Sequence, residues 1–221
     1  MKNPINYSFK TEVFPFLILL STVILSFWAY PKLPDLVVSH WDFAGHANGW
    51  SSREFHVIFS PALLFAMYTL FSIMPKFDPH ASRYQEFASA YRSIRNFILL
   101  IFFVIFAAAT FSNLGYAVNI GVTVAGLVGL LMIILGCYFR KLKQNFFIGI
   151  RTPWTLSSEN VWNKTHRLGS YLFIIWGACL MLSPWLTTRF AFIILFGGLV
   201  SVLACLMIYS YLLYKKEQEK K

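Results

Sequence analysis

Long apolar runs alternate with short polar stretches along the whole chain. A membrane-spanning helix needs about 20 mostly apolar residues. Six runs come near this length, and they are Val13–Tyr30, Val57–Met74, Phe97–Ser112, Ile120–Phe139, Tyr171–Leu186 and Phe190–Tyr214. The third and fifth runs are short, so we expect their helices to take in flanking residues. The pattern predicts an all-α, polytopic membrane protein with six transmembrane helices.

Composition agrees with this class, because 57% of the residues are hydrophobic and only 13% are charged. A soluble domain carries roughly 25% charged residues. The first apolar run could in principle be a cleaved signal peptide. However, it is followed by Pro31-Lys32-Leu33-Pro34 rather than by a small-residue cleavage pattern. We therefore interpret it as a retained helix.

The basic residues predict the orientation in the membrane. Of the 19 Lys and Arg, all but Lys32, Arg53 and Arg189 fall in the two termini, the second-to-third connection or the fourth-to-fifth connection. Basic residues favour the cytoplasmic side of short loops. We therefore expect both termini in the cytoplasm. The net charge of +10 then reflects this topology and attraction to anionic membrane lipids, and it does not require direct nucleic-acid binding.

A polar segment, residues 145–170, separates the fourth and fifth runs. Its first part contains a Gly, a Pro, an Arg and a Trp, which predicts an ordered loop. Ser157 is expected to cap a short helix that carries Glu159 in its first turn. On this helix one face would present Trp162, Thr165, His166 and Gly169.

This segment supports two interpretations. Arg151 beside Trp154 could simply fix the loop, or these residues together with Trp162 could anchor a partner at the cytoplasmic surface. The predicted toxin- or partner-binding residues are Gly149, Arg151, Thr152, Pro153, Trp154, Thr155, Trp162, Thr165, His166 and Arg167. Catalysis is not expected, because the residues near His166 include no convincing nucleophile or carboxylate.

The stretch between the first two runs, residues 33–55, is expected to be a turn-rich extracellular loop. Its predicted functional residues are His40, Trp41, Gly45, Gly49 and Trp50, with the indoles at the outer headgroup layer. Another interpretation makes His40, Asp42 and His46, with His56 beyond, zinc ligands of a metalloenzyme. We expect structural roles instead, and hence neither a bound metal nor a cofactor.

The spans give little indication of a transport pathway. No acidic residue falls in the middle of a run, and no internal repeat divides the chain, whereas coupled carriers usually have such features. The fourth run contains Gly121, Gly126, Gly129 and Gly136, which predicts close helix packing rather than a substrate path.

Two sequence motifs in the polar segment, GIRTPWT and VWNKTHRLG, resemble in order and spacing the signature of the SdpI family. This family comprises membrane immunity proteins against sporulation-delaying toxin peptides. Upstream, Leu33-Pro34, His40-Trp41, Gly45 and Asn48-Gly49-Trp50 are similar to the N-terminal domain that often precedes this signature. The resemblance predicts a two-span region, residues 1–96, and a four-span SdpI-like region, residues 97–221.

What the resemblance implies is a multi-pass protein of a bacterial cell membrane that protects the cell from a secreted peptide toxin. In the best-known arrangement of the family, the toxin-bound protein also holds a small helix-turn-helix repressor at the membrane and so induces its own operon. A transporter or exporter of small amphiphilic molecules and, more remotely, a membrane metalloenzyme are the alternatives from other classes.

Overall fold

The computed structural model describes residues 3–42 and 45–220, and this part of the chain is mostly helical. Lys2 and Lys221, which enter the charge argument above, lie outside the described residues. The elements are α1 (Phe9–Ala29), β1 (Leu36–Trp41), β2 (Ala47–Ser52), α2 (Arg53–Ile73), α3 (Tyr84–Asn113), α4 (Ile120–Phe139), α5 (Pro153–Ser157), α6 (Glu159–Leu182), α7 (Thr188–Phe192) and α8 (Gly198–Gln218). A π-helical turn, Ile193–Gly197, joins α7 to α8.

Six helical stretches in the described part of the chain are long and apolar enough to cross a membrane, which confirms the predicted number. They are Phe9–Lys32, Arg53–Phe77, Ala81–Asn113, Ile120–Phe139, Glu159–Trp185 and Thr188–Gln218. The third and fifth extend beyond their apolar runs, as expected. The predicted short helix after the polar loop is wrong as a separate element, because it continues into the fifth span as α6.

The outer stretch is not the turn-rich loop expected, and the fold is therefore not purely helical. Strands β1 and β2 form an antiparallel hairpin in which His40 lies opposite Gly49. A Cβ at Gly49 would lie 2.9 Å from the Cβ of His40, so only glycine allows this close pairing. The hairpin is held by Asn113, whose side-chain amide donates to the Val38 carbonyl at 2.9 Å and accepts from the Val38 N–H at 2.7 Å. A contact 75 residues away along the chain is not visible in the local pattern.

The chain forms two compact units that interleave in sequence. The first unit comprises Met1–Asn6, Ile73–Ile94 and Val128–Lys221, and the second comprises Tyr7–Ser72 and Arg95–Leu127. The division of the chain at residues 96 and 97 stays a prediction.

The second unit buries an ion pair beside its apolar clusters. Glu12, in the first turn of α1, and Arg95 on α3 approach to 3.0 Å, and their side chains are 7% and 0% exposed. Tyr68 donates a hydrogen bond to the Glu12 carboxylate at 2.9 Å. The nearby apolar cluster contains Ile18, Leu64 and Leu99. This pair therefore fixes α1, α2 and α3 against one another within the unit.

In the first unit, α4 and α6 pack at very short range. A Cβ at Gly129 would lie 2.6 Å from the Gly177 carbonyl oxygen, and one at Gly136 would lie 2.7 Å from that of Ser170. These contacts confirm the predicted close packing for two of the four glycines in this span. A Cβ at Gly126 would meet nothing within 4 Å.

Candidate functional site

Asn145 organises the loop that begins the polar segment, and it is fully buried. Its side-chain oxygen accepts from the N–H groups of Phe147 and Ile148 at 2.9 and 2.8 Å. Its side-chain nitrogen donates to the carbonyls of Lys143 and Ile148 at 2.8 and 3.0 Å. One amide side chain therefore satisfies backbone groups that would otherwise be buried without partners.

Asp78 and Tyr84 attach this loop to the region before α3. The Tyr84 hydroxyl donates to Asp78 at 2.8 Å, and the Phe146 N–H donates to the same carboxylate oxygen, also at 2.8 Å. The Tyr84 hydroxyl also lies 3.4 Å from the Asn145 oxygen. Asp78, Tyr84 and Asn145 are all buried, so we call them the buried polar frame.

Gln144 connects the loop to the short helix α5. Its amide donates to the carbonyls of Thr155 and Leu156, each at 2.8 Å. Arg83, whose guanidinium lies 3.5 Å from the Gln144 oxygen, also pairs with Glu159 at 3.2 Å. These contacts satisfy the carbonyl end of α5, which is too short to satisfy its own groups.

Trp162 and His166 form the floor beneath the loop. Their rings stack with centroids 4.0 Å apart, and the Trp162 indole donates to the Leu142 carbonyl at 2.9 Å. His166 Nε2 accepts from the Ile150 N–H, while Nδ1 lies 2.9 Å from the Trp162 carbonyl. A carbonyl only accepts and an N–H only donates, so His166 is neutral with its proton on Nδ1. Both nitrogens are occupied by backbone groups, which does not suit a proton-transfer role.

Gly149 lies directly above this floor. Its φ is +114°, a conformation that side chains with a Cβ rarely adopt. A Cβ there would lie 2.5 Å from His166 Nε2 and 3.2 Å from the Trp162 ring. Glycine is therefore required here for two reasons, namely the backbone conformation and the close approach to His166 and Trp162.

Two caps order the rest of the segment. Thr152 caps α5 by accepting from the Thr155 N–H at 3.2 Å, and its hydroxyl also bonds Ser210 of α8 at 3.0 Å. Ser158 caps α6 by accepting from the Val161 N–H at 3.3 Å, and it donates to Glu217 of α8 at 2.9 Å. The expected cap Ser157 is thus wrong by one residue, since α5 occupies Ser157.

The ten residues predicted from this segment divide into a buried and an accessible group. Thr152, Thr155, Trp162, Thr165 and His166 are buried, and Gly149 is half-buried. The exposed residues are Arg151, Pro153 and Arg167, and Trp154 is half-buried against Tyr211, with ring centroids 5.1 Å apart. Arg151 donates to the Phe146 carbonyl. Trp162 is fully buried and supports the loop from inside, and its role as a partner anchor stays a prediction.

The residues predicted in the outer stretch all belong to the hairpin or its turn. His40 contacts Asn48, and Asp42 pairs with His46 at 3.5 Å. Trp50 is 59% exposed and Trp41 is half-buried, and Gly45 has a φ of +84°. His56 lies on α2, buried, with its ring 2.9 Å from the Thr110 hydroxyl. Among the described residues, no cluster of three His, Cys, Asp or Glu has a metal-binding arrangement.

Sequence reasoning missed Asp78, Tyr84, Gln144 and Asn145. Asp78 bonds Phe146 across 68 positions of sequence, and no periodic pattern encodes such a distance.

The family comparisons fall on both units. Residues 141–210 match the SdpI/YfhL protein family and lie within the first unit. Residues 17–65 match DUF1648, a domain of unknown function, and lie within the second. The protein named Immunity protein SdpI of Bacillus subtilis (strain 168) is 24% identical over 207 residues, which cover 94% of this chain and 97% of that protein. No solved structure matches the chain significantly. The chain therefore carries an SdpI/YfhL match in its C-terminal part and a DUF1648 match in its N-terminal part, as the two resemblances predicted.

Proposed function

We propose that this protein protects the cell membrane against a secreted peptide toxin. One observation carries the proposal, which is the similarity over nearly the full length to a protein named for immunity. The ordered segment above Trp162 and His166 supports it further, since this segment lies within the family match. Its fixed loop and backbone-bound His166 suit recognition better than chemistry.

Expression in a toxin-sensitive cell tests this function. Survival would be measured against a panel of secreted peptides, with the empty vector as control. Protection against at least one peptide is the expected result. Equal killing of both strains by every peptide, at normal levels of the protein in the membrane, would contradict the proposal.

The orientation is also a proposal, with both termini in the cytoplasm and the hairpin outside. Its support is the uneven distribution of Lys and Arg described above. Exposed serines are available on the two segments concerned, Ser39 on β1 and Ser157 on α5.

Single-cysteine labelling should separate these two positions. In a background without Cys137, Cys179 and Cys205, a membrane-impermeant maleimide should label Ser39→Cys in intact cells and leave Ser157→Cys unlabelled. Both should react after the membrane is permeabilised, which controls for accessibility. Labelling of Ser157→Cys in intact cells would reverse the orientation.

We propose that the hairpin first meets the toxin. Trp50 and Leu36 are 59% and 68% exposed, and large exposed apolar side chains on a polar hairpin suit a hydrophobic peptide. On the other segment, Arg151, Pro153 and Trp154 form what we call the docking face. A small helix-turn-helix repressor bound there would couple toxin binding to transcription. Arg and Trp are the residue types that often dominate interface energies.

Trp154→Ala should weaken this response while leaving the protein in the membrane. Loss of an interface anchor costs about 2 kcal/mol, so the variant should bind the repressor roughly 30-fold more weakly. Toxin-dependent induction of a reporter from the protein's own promoter should therefore fall. Trp185→Ala is the matched control, since Trp185 is 75% exposed and lies outside the docking face. Normal induction by both variants at equal membrane levels would contradict the docking role. The immunity function would still be tested separately, by the survival experiment.

A further inference from the structure

A cleft opens in the first unit between the end of α4 and the beginning of α6. Its volume is about 320 Å³, and it is lined by Phe139, Arg140, Asn163, His166 and Arg167. Asn163, His166 and Arg167 follow one another at helical spacing, so the cleft is built on one face of α6.

The charged groups of this cleft are both cationic. Arg140 and Arg167 are exposed, and neither takes part in an ion pair among the described residues. The Arg140 guanidinium stacks over the Tyr171 ring, 4.4 Å from its centroid. Arg140 and Arg167 both also interact with the Tyr171 side chain through hydrogen bonding. A guanidinium has five N–H donors, so donors remain for a ligand.

The remaining lining residues complete a site rich in donors. Asn163 is exposed, and its amide can donate two hydrogen bonds. His166 uses both ring nitrogens elsewhere, so it offers the cleft only an apolar ring edge beside Phe139. Two guanidinium groups and an amide without a lining carboxylate suit an anion with several oxygens, and phosphate matches the guanidinium geometry well.

An exposed apolar stripe continues from Arg167 along α6. Tyr171, Ile175 and Leu182 are 52%, 61% and 63% exposed and follow at intervals of four and seven residues. Exposed apolar side chains on a membrane-spanning helix face the acyl chains of lipids. Basic pockets between transmembrane helices bind phospholipid headgroups.

We propose that this cleft binds the phosphate of an anionic phospholipid whose acyl chains lie along Tyr171, Ile175 and Leu182. The free phosphate ion has the same headgroup chemistry, but it has no acyl chains that could contact the apolar stripe. The site is separate from the docking face, and its occupation does not depend on the immunity function.

Native mass spectrometry of the detergent-solubilised chain, titrated with phosphatidylglycerol, tests the site. Each basic residue near a membrane surface contributes about 1 kcal/mol to anionic lipid binding, or about fivefold. Arg140→Gln/Arg167→Gln should therefore weaken the first bound lipid at least about tenfold. Lys216→Gln/Lys220→Gln removes the same charge from exposed positions outside the cleft and should change affinity less than about twofold.

Equal weakening by both pairs of substitutions would overturn the proposal in favour of diffuse charge attraction. Displacement of the lipid by inorganic phosphate at equal concentration would overturn the lipid as its source. Arg140→Lys/Arg167→Lys controls for a folding defect, because it keeps the positive charges but removes the planar guanidinium groups that bind phosphate with two donors each. This variant should melt like the wild type and bind phosphatidylglycerol more weakly than the wild type, and unchanged binding by it would contradict phosphate recognition.

Discussion

Replacing Arg95 with Met should lower the melting temperature of the detergent-solubilised protein by about 10 °C. The substitution leaves the Glu12 carboxylate buried, still accepting a hydrogen bond from the Tyr68 hydroxyl but without its cation. Breaking a buried ion pair from one side costs about 3–5 kcal/mol, because an uncompensated charge stays in a low-dielectric environment. Thermal unfolding followed by intrinsic Trp fluorescence would measure the change.

Two further variants test whether the unpaired Glu12 charge causes this loss of thermal stability. Glu12→Gln/Arg95→Met removes both charges and still lets Tyr68 donate to an amide oxygen, so it should recover most of the stability. Arg92→Met, one helical turn earlier on α3, removes an Arg that donates a hydrogen bond to the Asn6 carbonyl. That control should cost about 1 kcal/mol or less. A double variant as unstable as Arg95→Met would mean that packing, rather than charge, fixes these helices.

The six spans could be predicted because hydropathy is a local property. Each apolar run carries its own signal, and a helix is the natural way to satisfy its backbone within lipid. The face formed by Trp162, Thr165, His166 and Gly169 was also predictable, because helical periodicity places these residues together. The burial of Trp162, Thr165 and His166 shows that this face points inward, which periodicity alone did not indicate.

The hairpin and the buried polar frame could not be predicted in the same way. β1 is six residues long, and its fixed position depends on Asn113 at the far end of α3. Asp78 has no local role that distinguishes it from any loop aspartate. Its function becomes visible only when Phe146 and Tyr84 lie beside it.

This difference also changes how the family signature is understood. Its two motifs include buried residues, such as Thr155 and His166, and exposed ones, such as Arg151 and Arg167. Thr155 and His166 bind backbone groups of the loop itself and shape it. The exposed ones are accessible to the partner or the lipid that we propose, so loss of function at a buried position does not by itself identify a contact.

Gly149→Ala should disrupt this loop more than any other single methyl addition within GIRTPWT. Gly149 combines a φ of +114° with the 2.5 Å approach of a Cβ to His166 Nε2. Left-handed backbone strain costs about 1–3 kcal/mol, and displacing His166 also breaks its bond with the Ile150 N–H, at a further cost of about 1–3 kcal/mol. We expect a melting temperature lower by about 10 °C and loss of toxin protection.

Gly126→Ala is the matched control, because a Cβ at this helical position meets nothing within 4 Å. Alanine is also the better helix former there, so its melting temperature should stay equal or rise slightly. Trp fluorescence distinguishes a local from a global effect, since the Gly149 change alters the surroundings of Trp162 directly. If Gly149→Ala had the melting temperature of the wild type and protected cells fully, the loop would not need its close contact with His166. Its ordered conformation could then not be the basis of recognition.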